Sequence, residues 1–148
     1  METITVERVI DAPIDRVFEW LSVASNYTRA PIVLRERLVR PGTDAPYGEG
    51  AVRVLTWVIG RFRERITAYR PPHEFEYLVE RSFPPSRHEG GKLAFTEVDG
   101  GTSVVWTTVA EVRPPFGVGV VTRIVVKPVI SYVFRRVLAA AADRDLRT

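Results

Sequence analysis

The chain has 148 residues, 45% of them apolar, which is the usual size of one domain with one core, and we predict a single domain over residues 1–148. It has no cysteine, which excludes disulfides, a thiolate nucleophile and a Cys-ligated metal site. The formal charge is only +3, and the arginines and two lysines are spread along the chain without the focused basic stripe that nucleic-acid binding requires.

The N-terminal part of the chain predicts a strand followed by two short helical segments. Apolar and polar residues alternate over residues 3–10, which is the pattern of a half-buried strand. Pro13 suits the first turn of a helix, and apolar residues at helical spacing extend this helix over residues 13–22. Ser25 and Asn26 are expected to cap a second, brief turn. No positively charged segment precedes an apolar one here, so no signal peptide and a cytoplasmic location are expected.

Six further strands are predicted in the middle of the chain, each ended by Gly, Pro or Asp-Gly. They cover residues 32–40, 50–58, 61–70, 74–82, 88–98 and 102–112. Because they follow one another so closely, they are expected to pair antiparallel with their neighbours.

The last segment predicts one long helix from about residue 119 to residue 147, kinked near Pro128. Its valines and isoleucines are poor helix formers, so a strand over residues 118–126 is the alternative. Residues 118–134 are the most apolar stretch. Charged side chains and Pro128 interrupt this stretch and it is short for a bilayer, so no stable membrane span is expected.

This order of elements predicts an α+β fold. A curved antiparallel sheet of about seven strands wraps around the long C-terminal helix, with two short helices between strands 1 and 2. A sheet with so many strands must cover one face with something apolar, and the last helix is the only predicted segment long enough to do so.

Four stretches of the sequence resemble a known family. They are Val9–Phe18, Gly48–Arg53, Glu64–Tyr77 and Gly100–Trp106, and the long final helix adds to them. Together they are similar to the START-like, or SRPBCC, superfamily and to its polyketide cyclase/dehydrase and lipid-transport branch. The resemblance covers nearly the whole chain and implies a helix-grip fold, with a cavity that holds lipids, sterols, polyketides or other apolar molecules. Since this superfamily includes both enzymes and carriers, the resemblance does not decide whether a reaction occurs.

Hairpin register predicts which side chains share a face, because a two-residue turn fixes which residues stand opposite each other. With residues 59–60 as a turn, Leu55 faces Glu64 and Arg53 faces Ile66. The opposite face carries several arginines and must meet water. It holds Val52, Val54, Arg61, Arg63, Arg65 and Thr67.

A second hairpin turns at residues 99–100, which sets Leu93 opposite Trp106 and Phe95 opposite Val104. Together with the resemblance, these registers give the candidate ligand-lining residues. They are Arg53, Leu55, Trp57, Phe62, Glu64, Ile66, Phe75, Tyr77, Leu93, Phe95, Trp106 and Tyr132. Ordinary core packing is the alternative for the aromatic ones.

Arg53 and Glu64 are two charged side chains that the register places on the apolar side of one hairpin, diagonal to each other. Buried charges are costly unless they are paired and hydrogen-bonded. The pair therefore fixes a polar group of a ligand, or provides a general acid or base in Glu64, or only neutralises itself. The sequence leaves these three roles open.

The chain has two histidines, the only imidazoles that could move a proton near neutral pH. His73 follows two prolines in a turn and is expected to be solvated, whereas His88 begins a strand, where pocket mouths commonly lie. The catalytic candidates are therefore Glu64 and His88. Two such separated histidines do not make a recognisable metal motif, so no metal ion and no cofactor are expected.

Three more polar residues lie close to the predicted cavity. The register of the second hairpin places Glu89 inward beside Ala110, although an exposed position is expected so near the strand end. On the final helix, Tyr132 rather than Ser131 is expected to direct its hydroxyl into the cavity.

Three functions are compatible with the sequence. Binding or transport of a lipid, polyketide or isoprenoid-like molecule is favoured, because the predicted pocket is rich in apolar side chains and poor in acid–base groups. A polyketide cyclase/dehydratase would need Glu64 and Arg53 to meet Tyr77 or His88. A protein-interaction module would use the outer face or residues 118–134 against a partner, a second copy in a homodimer, or a membrane surface. Phosphate loops, nucleotide fingerprints and Ser-His-Asp motifs are not found, which excludes those classes.

Overall fold

The computed structural model describes residues 2–112, 122–144 and 146. The strands are β1 (Glu2–Ile10), β2 (Val33–Arg40), β3 (Val52–Trp57), β4 (Gly60–Arg70), β5 (Glu74–Phe83), β6 (Ser86–Val98) and β7 (Gly101–Val112). The helical segments are α1 (Ile14–Ser22), a 3₁₀ helix (Ala24–Arg29), a π-helical turn (Thr122–Val126) and α2 (Lys127–Asp143). Every predicted strand is present, with bounds close to the predicted ones.

The strands form one antiparallel sheet in the order β1-β7-β6-β5-β4-β3-β2. Strands β2 to β7 are consecutive neighbours, as their closely spaced turn signals predict, and β1 pairs with β7. Register shifts between β2 and β3, β4 and β5, and β6 and β7 mark bulges, which bend the strands so that the sheet curves. The predicted α+β helix-grip fold is confirmed, with two short helical segments between β1 and β2.

Helix α2 lies against the inner face of the curved sheet and turns one apolar stripe inward. Val133, Val137, Leu138 and Ala141 recur at three- and four-residue spacing and are buried. Pro128 lies in the first turn of α2, where a missing N–H removes no helical hydrogen bond. The helical geometry changes from π to α beside Pro128.

The C-terminal segment is helical over residues 122–143. The strand alternative for residues 118–126 is therefore wrong from residue 122 onward, while residues 118–121 lie outside the described residues. None of the described helices is long and apolar enough to cross a membrane.

The β3–β4 hairpin turns one residue earlier than predicted. Its turn is at residues 58–59, because Trp57 pairs with Gly60, and Arg53 consequently stands directly opposite Glu64 rather than diagonal to it. The register differs from the predicted one by two residues, and a shift of two residues keeps every side chain on its predicted face.

The β6–β7 hairpin keeps the predicted register over most of its length, with Leu93 opposite Trp106. Near the start of β6, a bulge inserts Glu89, so that His88 rather than Glu89 lies opposite Ala110. Glu89 is exposed and the neighbouring histidine turns inward.

Valines on the outer face of β3 are buried, although that face meets water. Val54 lies between Arg37 of β2 and Arg63 of β4, and Val52 is flanked by two arginines in the same way. The long aliphatic stems of arginine can cover apolar neighbours while the charged ends stay in water. The arginines themselves are exposed, as predicted for Arg63 and Arg65.

Candidate functional site

A cavity of about 300 Å³ lies between the inner face of the sheet and the C-terminal helical segment. Strands β3, β4, β5 and β7 each turn alternate side chains toward it. Seven of the predicted ligand-lining residues form part of its wall: Arg53, Leu55, Trp57, Phe62, Glu64, Tyr77 and Trp106. The cavity occupies the place that the resemblance implied.

Four other predicted lining residues belong to the core and not to the cavity wall: Ile66, Phe75, Leu93 and Phe95. For two of them the reason is helix α1, whose Phe18 ring packs against the rings of Phe75 and Phe95 at centroid distances of 5.9 and 5.1 Å. Helix α1 fills the inner face beside these two rings, so they pack in the core and not against the cavity.

Tyr132 also lies outside the cavity, with 56% of its surface exposed. Helix α2 directs Val133 and Phe134 into the cavity wall, and Tyr132 points away from them. Ser131 is half-buried and donates its hydroxyl to the Lys127 carbonyl oxygen at 2.8 Å, within the helix. The prediction for Tyr132 is wrong because the sequence around Pro128 does not fix the rotation of the helix.

Arg53 and Glu64 form a buried ion pair in the cavity wall. Nε and Nη2 of Arg53 each lie 3.0 Å from Oε1 of Glu64, and the two side chains are 1% and 8% exposed. Burial raises the pKa of Glu64, and the neighbouring guanidinium offsets this only in part. Burial also opposes the charge on Arg53, but the Glu64 carboxylate, together with the tyrosines beside it, more than compensates, so the pKa of Arg53 is raised and its guanidinium stays charged.

Aromatic rings enclose the guanidinium of Arg53. Its Cζ lies 5.6 Å from the ring centroid of Tyr27 and 5.8 Å from those of Phe75 and Tyr77, which favours a cation at this position. Among the described residues, Nη1 of Arg53 is the one buried side-chain nitrogen or oxygen without a hydrogen-bond partner. A charged donor with one unpaired nitrogen is thus held beside the cavity.

His88 reaches the cavity wall because of the bulge in β6. Its Nδ1 accepts the Val79 N–H at 3.0 Å, so in the neutral ring Nε2 carries the proton and donates to Oγ1 of Thr108 at 2.6 Å. The Thr108 hydroxyl then donates to the Gly90 carbonyl oxygen at 3.4 Å. Burial lowers the pKa of His88 to about 4, which keeps the ring neutral at neutral pH. Both ring nitrogens are engaged within the protein.

Tyr77 lies between the ion pair and His88. Its ring stacks on the imidazole at a centroid distance of 5.6 Å, and its hydroxyl accepts a hydrogen bond from Nε1 of Trp106 at 2.9 Å. Burial raises the pKa of Tyr77, so the hydroxyl stays protonated. Gly91 stands opposite Tyr77 on β6, and a Cβ atom there would overlap the ring. The absence of a side chain at Gly91 therefore leaves room for the Tyr77 ring.

The sequence analysis missed Tyr27 and the helical residues of the cavity wall. Tyr27 is fully buried and donates its hydroxyl to the Leu21 carbonyl oxygen, and burial raises its pKa to about 12. The C-terminal helical segment contributes Val125, Val126, Val129, Ile130, Val133 and Phe134. Their recurrence at three- and four-residue spacing is a signal that could have found them, whereas the short 3₁₀ helix gives no such periodicity.

His73 is exposed in the turn before β5, as expected, and is not part of the cavity wall. Within the part of the chain that the structure describes, no group of three or more His, Asp or Glu side chains could hold a metal ion.

The sheet order, the gripped helix and the apolar cavity define a START-like protein of the helix-grip type. The chain belongs to the family described as polyketide cyclase / dehydrase and lipid transport, which it matches over residues 1–144. The resemblance noted in the sequence is thereby confirmed. A comparison with curated protein sequences gave no match.

Solved structures share this fold over nearly the whole chain. The Zhui aromatase/cyclase from a Streptomyces species has a TM-score of 0.78 and 19% identity, over 99% of this chain and 96% of its own. A protein from Thermus thermophilus has a TM-score of 0.77 and 18% identity, over 96% and 95%. A START superfamily protein from Mycobacterium smegmatis has a TM-score of 0.72 and 11% identity, over 93% and 92%. At these identities the similarity shows the fold alone.

Proposed function

We propose that the protein binds a hydrophobic small molecule of lipid, polyketide or isoprenoid type and holds one of its oxygen atoms at Arg53. The observation that carries this proposal is the buried guanidinium, with its unpaired Nη1, in the wall of an apolar cavity. A buried donor without an acceptor costs about 1–3 kcal/mol, and more when it is charged. Nη1 is enclosed by the aromatic rings around it, so a ligand oxygen reaches it only after these rings shift. The hydrogen bond would then recover that cost, while the apolar body of the ligand contacts the rest of the wall.

Binding without chemistry is supported by the way the acid–base groups are engaged. Both nitrogens of His88 are hydrogen-bonded to Val79 and Thr108, and its low pKa keeps the ring in the neutral form at neutral pH, which is a poor general acid. Glu64 is held by Arg53. The two predicted catalytic candidates, His88 and Glu64, are therefore both occupied by protein partners.

A polyketide cyclase or dehydratase is the second candidate function. The family description names cyclases and dehydrases, and one structural neighbour is an aromatase/cyclase. Arg53 and Tyr77 stand side by side in the cavity wall. A substrate carbonyl held by Arg53 would release a neighbouring C–H proton more easily, and the raised pKa of Glu64 brings this carboxylate closer to the basicity of a general base.

A matched pair of probes tests the anchoring role of Arg53. Anthrone and 9,10-dihydroanthracene differ by one carbonyl oxygen, and Trp57 and Trp106 in the cavity wall should report binding through their fluorescence. We expect anthrone to bind about ten-fold more tightly or better, because a hydrogen bond to a charged group is worth about 1.5–3 kcal/mol.

The control for this experiment is the double variant Arg53→Met/Glu64→Gln. It removes both charges at similar volume and so avoids leaving one buried charge alone. In this variant the preference for anthrone should disappear while dihydroanthracene still binds. If the preference persists, Arg53 is not the anchor, and if neither probe binds the wild type, the cavity is not a ligand site. For the enzyme, the wild type should convert a polyketide substrate to a cyclised product, and a folded Glu64→Gln variant should bind that substrate with unchanged affinity but form no product.

A further inference from the structure

The cavity opens at one end of the strands. Because the strands alternate in direction, the start of β2, the β3–β4 turn, the end of β5 and the start of β1 all lie at this end of the sheet. Ile59 and Pro84, which lie at this end, line the cavity together with Val125. Nζ of Lys127 lies 4.0 Å from Oε1 of Glu2, which places the start of α2 at the same end of the sheet. We refer to this end as the mouth end.

Exposed apolar side chains concentrate at the mouth end. Of the ten large apolar side chains exposed among the described residues, six lie there: Leu34, Val58, Phe83, Ile124, Val125 and Val129. We refer to these six residues as the rim. Phe83 is 65% exposed, and Leu34 is the extra residue of the bulge in β2. A group of exposed apolar side chains around a cavity opening indicates an interaction surface.

Arginines on the outer face of the sheet form two rows beside the rim. The first row crosses β2, β3, β4 and β5 at Arg35, Thr56, Arg61 and Phe83, and the second row at Arg37, Val54, Arg63 and Arg81. All the arginines of these rows are exposed, and they form no ion pair with a described residue. Because like charges side by side destabilise a sheet, the charges of these rows do not stabilise the fold, although the stems of Arg37 and Arg63 cover Val54.

We infer that the mouth end docks on the surface of an anionic lipid bilayer, with the rim in the interface and the two arginine rows at the lipid phosphates. Arginine binds phosphate through paired N–H bonds, and each basic side chain near an anionic leaflet strengthens binding roughly five-fold. Apolar side chains next to cationic ones are typical of proteins that bind at a membrane interface. An acidic protein partner would use the arginines but would leave the rim unexplained.

The distances fit a flat charged surface. At about 3.3 Å per residue, the second row lies about 7 Å further from the rim than the first, which is within a Debye length at physiological salt. Both rows can therefore contribute while only the rim enters the bilayer. The inference goes beyond the proposed function, because docking does not require a ligand in the cavity.

Co-sedimentation of the full chain with vesicles tests the inference. We expect binding to vesicles that contain phosphatidylglycerol and phosphatidylcholine, weaker binding at high salt, and little binding to phosphatidylcholine alone. The charge variant Arg37→Gln/Arg63→Gln/Arg81→Gln should lower affinity about a hundred-fold. The rim variant Leu34→Ser/Val58→Ser should lower it about ten-fold.

The control variant Arg8→Gln/Arg16→Gln/Arg144→Gln removes the same charge from exposed positions outside the rows. It should bind within a few-fold of the wild type. The charge variant should melt close to the temperature of the wild type, since it removes neighbouring like charges but also shortens the stems that cover Val54.

Three results would overturn the inference. The first is no sedimentation with anionic vesicles. The second is an equal loss of vesicle affinity in the control variant, which would mean that binding depends on net charge and not on where the arginines lie. The third is tight binding to immobilised polyglutamate that the rim variant retains in full, which would indicate an acidic protein partner. The anthrone experiment contains no vesicles, so docking and ligand binding can fail separately.

Discussion

Tyr77 separates a buried and a half-buried polar group that differ in charge. On one side its ring lies 5.8 Å from the Arg53 guanidinium, which is charged and paired with Glu64. On the other side it stacks on His88, which is neutral and satisfied by hydrogen bonds within the sheet. In this part of the cavity wall, charge is therefore confined to the ion pair, so a ligand oxygen meets one cation and not two.

The stability of the fold should depend on His88 in mildly acidic solution. Burial lowers the pKa of His88 to about 4 in the folded protein, whereas in the unfolded chain it is about 6.5. The unfolded chain therefore binds the proton first, and the stabilisation is present above pH 6.5 and is lost as the pH falls toward 4. We expect urea unfolding to show a smaller decrease in stability over this interval for His88→Gln than for the wild type.

The second histidine provides the control for this measurement. His73 is exposed, so His73→Gln should lose stability between pH 6.5 and 4 as the wild type does. Equal slopes for all three proteins would show that the buried imidazole is not linked to folding.

At the scale of elements, the pairing of β5 with β6 depends on one glycine. A Cβ atom at Gly91 would overlap the ring of Tyr77, so Gly91→Ala must displace the ring or the strand. We expect a loss of about 1–3 kcal/mol in the free energy of unfolding, measured with urea. In a Tyr77→Ala background the same substitution should cost much less. Equal costs in both backgrounds would contradict this steric explanation.

The inner and outer faces of the hairpins could be predicted from the sequence, because side chains alternate with a period of two. The β3–β4 register is off by two residues, yet Arg53 and Glu64 stay on the cavity side. A bulge shifts the register by one residue and reverses the faces, which is why His88 rather than Glu89 faces inward. The consecutive glycines at residues 90 and 91 are the local signal for this irregularity, but they do not fix which residue is the extra one.

Which part of the inner face is cavity and which is core could not be predicted. That division depends on where α1 lies, and the ring of Phe18 fills the space beside Phe75 and Phe95. Sequence periodicity identifies an apolar face of a strand but not the element that covers it. For the same reason the rotation of α2, and with it the position of Tyr132, required the structure.

At the scale of the whole molecule, we expect the chain to unfold as a single cooperative unit. Trp20, Trp57 and Trp106 lie in α1, β3 and β7 and belong to one buried cluster. Their fluorescence and the far-ultraviolet circular dichroism should therefore change at the same urea concentration. Two separate transitions would show that the sheet and the helices do not form one domain.

The pairing of β1 with β7 also determines the order in which the protein can form. Residues such as Ile4 and Thr108 meet only after the chain between them has been brought together, and closing such a long loop costs more entropy than any hairpin of the sheet. During synthesis, β1 has no strand partner until β7 has left the ribosome. We therefore expect the β2–β7 hairpins to form first and the addition of β1 to complete the sheet.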